Sequence, residues 1–246
     1  MYVELLTATP EAERAVATAA RLCYADVDCR ALLQRSTPDD DQRMIDRILE
    51  LGHYAVLEHA SFTFAVEGVS RVLTHQLVRH RLASFAQQSQ RYVAFEEGFA
   101  YETPPAITAR PELQHRFDAA MRYAAEAYRE LCRAGIAAED ARFVLPNAAH
   151  SRIIITMNAR ELRHFFRLRC CRRAQWEIRA LAVKMLETVM AVAPSLFHQA
   201  GPGCLSGPCP EGPMSCGKAA EVRREFAKLS APPSACPVTN LPDNGL

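Results

Sequence analysis

The strongest limit on how this chain folds is a short alternation set among much longer amphipathic stretches. Residues 60–67 (ASFTFAVE) put Phe62, Phe64 and Val66 on alternate positions, the period of a strand with one buried face. Residues 2–7 (YVELLT) and 151–157 (SRIIITM) read as two further strands. The rest of the apolar pattern has helical spacing. Thr9-Pro10 predicts an N-cap followed by Pro in the first turn of a helix reaching about Tyr24. Thr37-Pro38 repeats the signal, with three Asp over the positive helix end. Met44, Ile45, Ile48 and Leu51 continue that helix, and Gly52 closes it. Val69, Val72, Leu73 and Gln76 predict a helix to about His80, followed by a polar, irregular stretch over 83–100. A long helix is expected from Thr108 to Ala134, ended by Gly135, then a short one to about Arg142 and two more over about 159–168 and 174–192. The sum is an α+β fold with more helix than strand.

Composition narrows the class. With 246 residues and 49% hydrophobic content the chain affords a sizeable core and is not disordered throughout. No apolar run approaches the roughly 18 residues that span a membrane, and Glu4 sits where a secretory signal carries basic residues. Nine cysteines, an odd number, in a chain of this size predict reduced thiols and a cytoplasmic protein. After Gly201 the composition shifts to Gly, Pro, Cys and Ser. Residues 1–200 are therefore expected to form the working domain and 201–246 a tail. Three readings of that tail stay open. Its thiols are incidental, or Cys204, Cys209 and Cys216 hold a zinc ion with His198 or Cys236 as fourth ligand, or the thiols serve a redox or disulfide role.

Charge is balanced overall but not locally. Residues 142–179 hold nine Arg against two acids and no Lys, and Arg79, His80, Arg81 and Arg91 form a second basic focus without acids. Arginine without lysine favours fixed, bidentate contacts to phosphate or carboxylate. A net charge of only +1 argues against a general nucleic-acid binder. Residues 79–92 read RHRLASFAQQSQRY: three large donors at a helix end, then a loop of Ser and Gln able to surround a polar heterocycle. His80 between two Arg is a poor metal ligand and suits a phosphate or a flavin ring better.

This segment resembles the RHRxxSxxxxSxRY signature of the flavin-dependent thymidylate synthases, with Arg79, His80, Arg81, Ser84, Ser89, Arg91 and Tyr92 filling every fixed position. The resemblance extends over roughly residues 1–200. Gly52-His53, Glu58-His59, Gln76, Arg142 to Pro146, Asn158 to Arg160, His164, Leu168-Arg169 and Ala174 to Ile178 follow in the family's order. It implies the family's fold, a central sheet with packed helices, in a homotetramer with active sites at subunit interfaces. It implies FAD reduced by NADPH, 5,10-methylenetetrahydrofolate as carbon donor, and conversion of dUMP to dTMP, with no nucleic-acid or membrane partner.

Carried over residue by residue, the resemblance assigns FAD to His53, Ala55, Arg79, His80, Arg81, Gln87, Asn158, Ala159, Arg160 and His164. It assigns dUMP to Gln76, Arg79, Gln87, Gln88, Ser89, Gln90, Arg91, Arg142 and Arg169. Arg169 is the expected catalytic residue, its permanent charge stabilising an ionised uracil. Ser89 is not expected to act as a nucleophile, because no base adjoins it in sequence. Two positions depart from the common pattern. Ala55 stands where Ser or Thr is usual, and Ala86-Gln87 where Asn-Glu is frequent.

Overall fold

The structure, a computed structural model, describes residues 1–95 and 97–229, the side chains at 34 and 35 apart. Strands β1 (Tyr2–Ala8), β2 (Ser61–Ser70), β3 (Ala83–Gln87) and β4 (His150–Asn158) form one antiparallel sheet in the order β1-β2-β4-β3. Between β1 and β2 run α1 (Ala12–Leu22), α2 (Cys29–Arg35) and α3 (Pro38–Leu51). Helix α4 (Arg71–Leu77) joins β2 to β3, and α5 (Pro105–Thr108), α6 (Pro111–Arg133) and α7 (Ala138–Ala141) lead to β4. Then come α8 (Ala159–Arg169), α9 (Trp176–Val192), α10 (Pro194–Phe197) and α11 (Ala219–Leu229).

The alternation in β2 sets the layers. Register pairs Phe62 with Met157, Phe64 with Ile155 and Val66 with Ile153, so the buried residues of β2 and β4 share one face. Against that face pack Val16 and Ala17 of α1, Ile45 and Ile48 of α3, Leu162, Phe165 and Phe166 of α8, and Leu181 and Met185 of α9. Each fully buried Phe here contributes about 1.5–3 kcal/mol by area alone. On the opposite face the Thr63 and Thr156 hydroxyls bond at 2.9 Å, and Ile154 is exposed.

Helix α4 is fixed at its first turn. Its N-cap Ser70 accepts from the Leu73 N–H, and its own N–H and hydroxyl donate to the buried Glu177 carboxylate at 2.7 and 2.5 Å. Glu177 lies in the first turn of α9, which Gln175 caps. Two helix N-termini thus converge on one carboxylate, which offsets part of its burial cost.

Several expectations are corrected. Residues 83–87, expected to be irregular, form β3. Ala83, Phe85 and Gln87 turn inward and pair with Met157, Ile155 and Ile153. The polar content of the segment hides this alternation, and pairing with β4 imposes it. The first helix starts at Ala12, not after Thr9. Thr9 instead closes the β1–β2 pair, its hydroxyl accepting from the Ser61 N–H at 2.9 Å. The helix expected to reach His80 stops at Leu77, and the long helix begins at Pro111. The Thr37 cap and the Gly52 stop form as expected, with Gly52 at φ 74°.

The expected tail also differs over its described part. Cys204, Val222 and Phe226 are buried in the common core, and Gly201, at φ 143°, comes so close to Phe226 and Leu205 that a Cβ would lie 2.7 Å from Leu205 Cδ1. Arg172 and Arg179 pair with Glu221 and Glu225 of α11, which ties the segment down. Cys236 lies outside the described residues. Among the described residues, no group of three or more His, Cys, Asp or Glu is arranged to hold a metal ion. No described helix is long and apolar enough to cross a membrane.

Candidate active site

Two basic clusters meet around α4 and the turn that follows it. The first is built by Glu139, which sits just ahead of Arg142. Its carboxylate takes Arg91 at 2.9 and 2.7 Å, and its carbonyl accepts from Arg142 Nε at 3.0 Å. Arg71, at the start of α4, lies close enough to Arg142 that burial first, and then the Arg142 charge, lower its pKa. Arg71 donates to the Gln88 carbonyl at 3.2 Å. Its Nε, and the Nε2 of Gln90, are buried donors without a hydrogen-bond partner among the described residues. Mutually repelling guanidinium groups and unused buried donors suit an anion.

The loop between the clusters is held by its own backbone. The Gln88 N–H donates to the Arg152 carbonyl, Ser89 Oγ accepts from the Arg91 N–H, and Val93 N–H donates to the Ser89 carbonyl. Gln87 donates its amide hydrogens to Thr74 and Ser151 at 3.0 and 2.9 Å, which leaves its side-chain carbonyl for a ligand. No carboxylate or imidazole bonds to Ser89 Oγ among the described residues.

The second cluster centres on His80. The turn after α4, with the Arg79 and His80 N–H groups bonded back to Gln76 and Leu77, drives the imidazole inward until it is 5% exposed. Its Nδ1 lies 3.3 Å from Glu161 Oε1, and its Nε2 accepts from Arg169 Nε at 3.0 Å. Arg169 also donates to the Gln76 carbonyl at 3.4 Å. Burial, then the charges of Arg169 and His164, depress the His80 pKa to about 4. His80 is therefore neutral near pH 7. Burial also lowers the pKa of Arg169, still far above neutrality.

Besides His80 and Gln87, the residues assigned to FAD divide into two sets. His53, Ala55, Arg79, Arg81, Arg160 and His164 are exposed; His53 contacts the Tyr24 hydroxyl and Arg160 pairs with Glu58 at 2.5 Å. His164, Arg160, Arg163, Arg167 and Tyr54 line a cavity of about 660 Å³ beside Leu82. Its far wall is the segment Gln199 to Gly203 with Ser206 and Pro210. The second set is committed to the protein. Asn158 caps α8, its Oδ1 accepting from the Glu161 N–H at 2.9 Å. Ala159 is fully buried and gives its N–H to the Ala60 carbonyl. Basic groups, an apolar edge and a volume of this size fit a large anionic cofactor with a flat ring.

Sequence reasoning missed Arg71, Glu139 and Glu161. Arg71 shares α4 with Gln76, and Glu139 precedes Arg142 by one turn, but a pairing with Arg91 across the fold has no local signal. Glu161 stands three residues after the cap Asn158, the place of a capping-box acid, yet its carboxylate goes to His80 instead. Cys170, beside Arg169, is not an activated thiol: burial pushes it up to about 12.

Fold and site together define a class: an α+β enzyme with two arginine-built clusters around one helix and the turn that follows it. Residues 4–195 match the family model described as thymidylate synthase complementing protein. The chain belongs to that family. It is 59% identical over 231 residues to a flavin-dependent thymidylate synthase of Geobacter sulfurreducens, covering 94% of this chain and 100% of the relative. It is 48% identical to a flavin-dependent thymidylate synthase of Clostridium tetani, covering 91% and 96%. A crystal structure of a UMP/dUMP methylase, PolB, from Streptomyces cacaoi bound with 5-Br dUMP superposes with a TM-score of 0.68. It is 27% identical and covers 80% of this chain and 92% of that one.

Proposed function

We propose that this chain methylates C5 of dUMP to give dTMP. The one-carbon unit comes from 5,10-methylenetetrahydrofolate, which leaves as tetrahydrofolate, and NADPH supplies the two electrons that reduce methylene to methyl. FAD, when bound, carries that hydride. The observation that carries this reading is the pairing of an arginine cluster with unused buried donors (Arg71, Arg91, Arg142, Gln90) and a separately anchored, part-buried Arg169.

In this reading the first cluster takes the phosphate of dUMP, and Gln76, Gln87, Gln88 and Ser89 bound its base and sugar. Arg169 faces the uracil edge and stabilises the negative charge that develops as C5 becomes nucleophilic. It does so without giving up a proton, since a guanidinium stays charged. Arg79, Arg81, Arg160 and His164 hold FAD, His53 and Ala55 border it, Asn158 contributes the amide hydrogens its cap leaves free, and Ala159 contributes backbone only. Ser89 binds and does not attack, in keeping with the absence of a base among its described partners.

The working unit is a homotetramer, which suits the exposure of Phe143, Tyr92 and Leu82 beside the site. It works in the cytoplasm, which suits eight free cysteines among the described residues, and it has no nucleic-acid partner. The test is Arg169→Ala. FAD content stays at wild-type level and tritium release from 5-tritiated dUMP is lost. Full release in that variant refutes the role of Arg169; a colourless protein that shifts RNA on a gel refutes the whole reading.

A further inference from the structure

One face of α8 is built around His80. Glu161, Phe165 and Arg169 stand four residues apart on it, so they stack along a single stripe. The imidazole slots against all three: edge-on to the Phe165 ring at 5.0 Å between centroids, with Nδ1 toward Glu161 and Nε2 toward Arg169. The proton positions follow from chemistry. Arg169 Nε is an obligatory donor, so His80 Nε2 presents its lone pair. A neutral ring then carries its hydrogen on Nδ1, and that hydrogen points at Glu161 Oε1. Glu161 sits in the first turn of α8, where the helix dipole favours a carboxylate, and its backbone N–H is already held by Asn158.

We propose that Glu161 is a positioning residue of the active site: it fixes the Nδ1–H tautomer of His80, so that His80 Nε2 holds the Arg169 guanidinium in place. This rests on the role proposed above for Arg169. Without an acceptor at position 161 the ring is free to adopt the Nε2–H tautomer. Two donors would then face each other at 3.0 Å, and among the described residues Arg169 would keep only its long bond to the Gln76 carbonyl. Removing the partner that orients a functional imidazole costs about 10- to 100-fold in metal sites, where the comparable arrangement has been weighed.

The experiment compares Glu161→Met, which fills the space without an acceptor, Glu161→Gln, which keeps one, Arg169→Ala, and the Met/Ala double variant. All are prepared as full chains loaded with FAD and matched for flavin content. Tritium release gives kcat, and calorimetric titration with dUMP gives Kd. The expected results are a fall in kcat of about 10- to 100-fold for Glu161→Met and recovery to within about threefold of wild type for Glu161→Gln. The dUMP Kd of Arg169→Ala should not weaken further when Glu161→Met is added, because groups acting through one another do not add. Wild-type kcat in Glu161→Met, a Gln variant as impaired as the Met variant, or a full additional loss of dUMP affinity in the double variant would each overturn the proposal. Should both position-161 variants fail to bind FAD, Glu161 is a folding residue and the proposal falls. Full turnover in Arg169→Ala overturns the Arg169 assignment and this proposal with it; a dead Arg169→Ala beside an active Glu161→Met overturns the relay alone.

Discussion

Replacing Glu177 by Ala tests whether the site depends on a contact far from any ligand. The Glu177 carboxylate is 2% exposed and accepts from the Ser70 N–H and hydroxyl at 2.7 and 2.5 Å. Hydrogen bonds to a charged group contribute about 1.5–3 kcal/mol each. Alanine also leaves the buried Ser70 N–H without its acceptor. The expected loss is about 3–5 kcal/mol, within the range for breaking a buried charged contact. For a chain of this length each kcal/mol moves the melting temperature by about 2–4 °C. Thermal unfolding followed by circular dichroism, at fixed protein and FAD concentration, should therefore show a drop of about 6–20 °C. Glu177→Gln keeps one acceptor for the Ser70 N–H and should lose about 1–2 kcal/mol. Because Ser70 starts the helix that carries Gln76 and leads into Arg79 and His80, dUMP affinity should fall along with stability. An alanine variant melting within about 3 °C of wild type would refute the clamp and the reasoning built on it.

Four further outcomes are expected. The Thr37 hydroxyl, the Thr37 N–H and Arg43 hold the Asp40 carboxyl at about 2, below its ordinary 3.8. A depressed carboxylate pKa gives stability that is present above about pH 4 and lost as pH falls toward 2, so Thr37→Ala should raise the acid-unfolding midpoint in a circular dichroism titration. Phe226, 3% exposed in the core, should cost about 3–5 kcal/mol as Ala in urea unfolding. Truncation after Gly201 removes that residue and the Pro202, Gly203, Ser206 and Pro210 wall of the cavity, and should weaken FAD retention on gel filtration. Ser89→Ala should keep measurable tritium release with a raised KM for dUMP, and a covalent adduct between Ser89 and the base, detected by mass spectrometry, would overturn that.

The sequence determined whatever depends on neighbours along the chain. The alternation of Phe62, Phe64 and Val66 set the buried face of the sheet, Thr37 and Gly52 set the ends of α3, and RHRLASFAQQSQRY marked the turn on which the site is built. These are local signals: a period, a cap, a run of donors. The tertiary structure decided whatever depends on distant segments. Ala83–Gln87 becomes a strand only because β4 lies beside it, and Thr9 leaves its cap because Ser61 offers a better partner. Residues 204–226 read as a tail by composition, yet Cys204, Val222 and Phe226 join a core whose other residues lie in the sheet and in helices such as α1, α3, α8 and α9. The same division runs through the site. The basic residues were legible as a group, but the separation of Arg91, Arg142 and Arg71 from Arg169 was not. Nor was the neutrality of His80, which burial imposes and Arg169 enforces by having only hydrogens to offer.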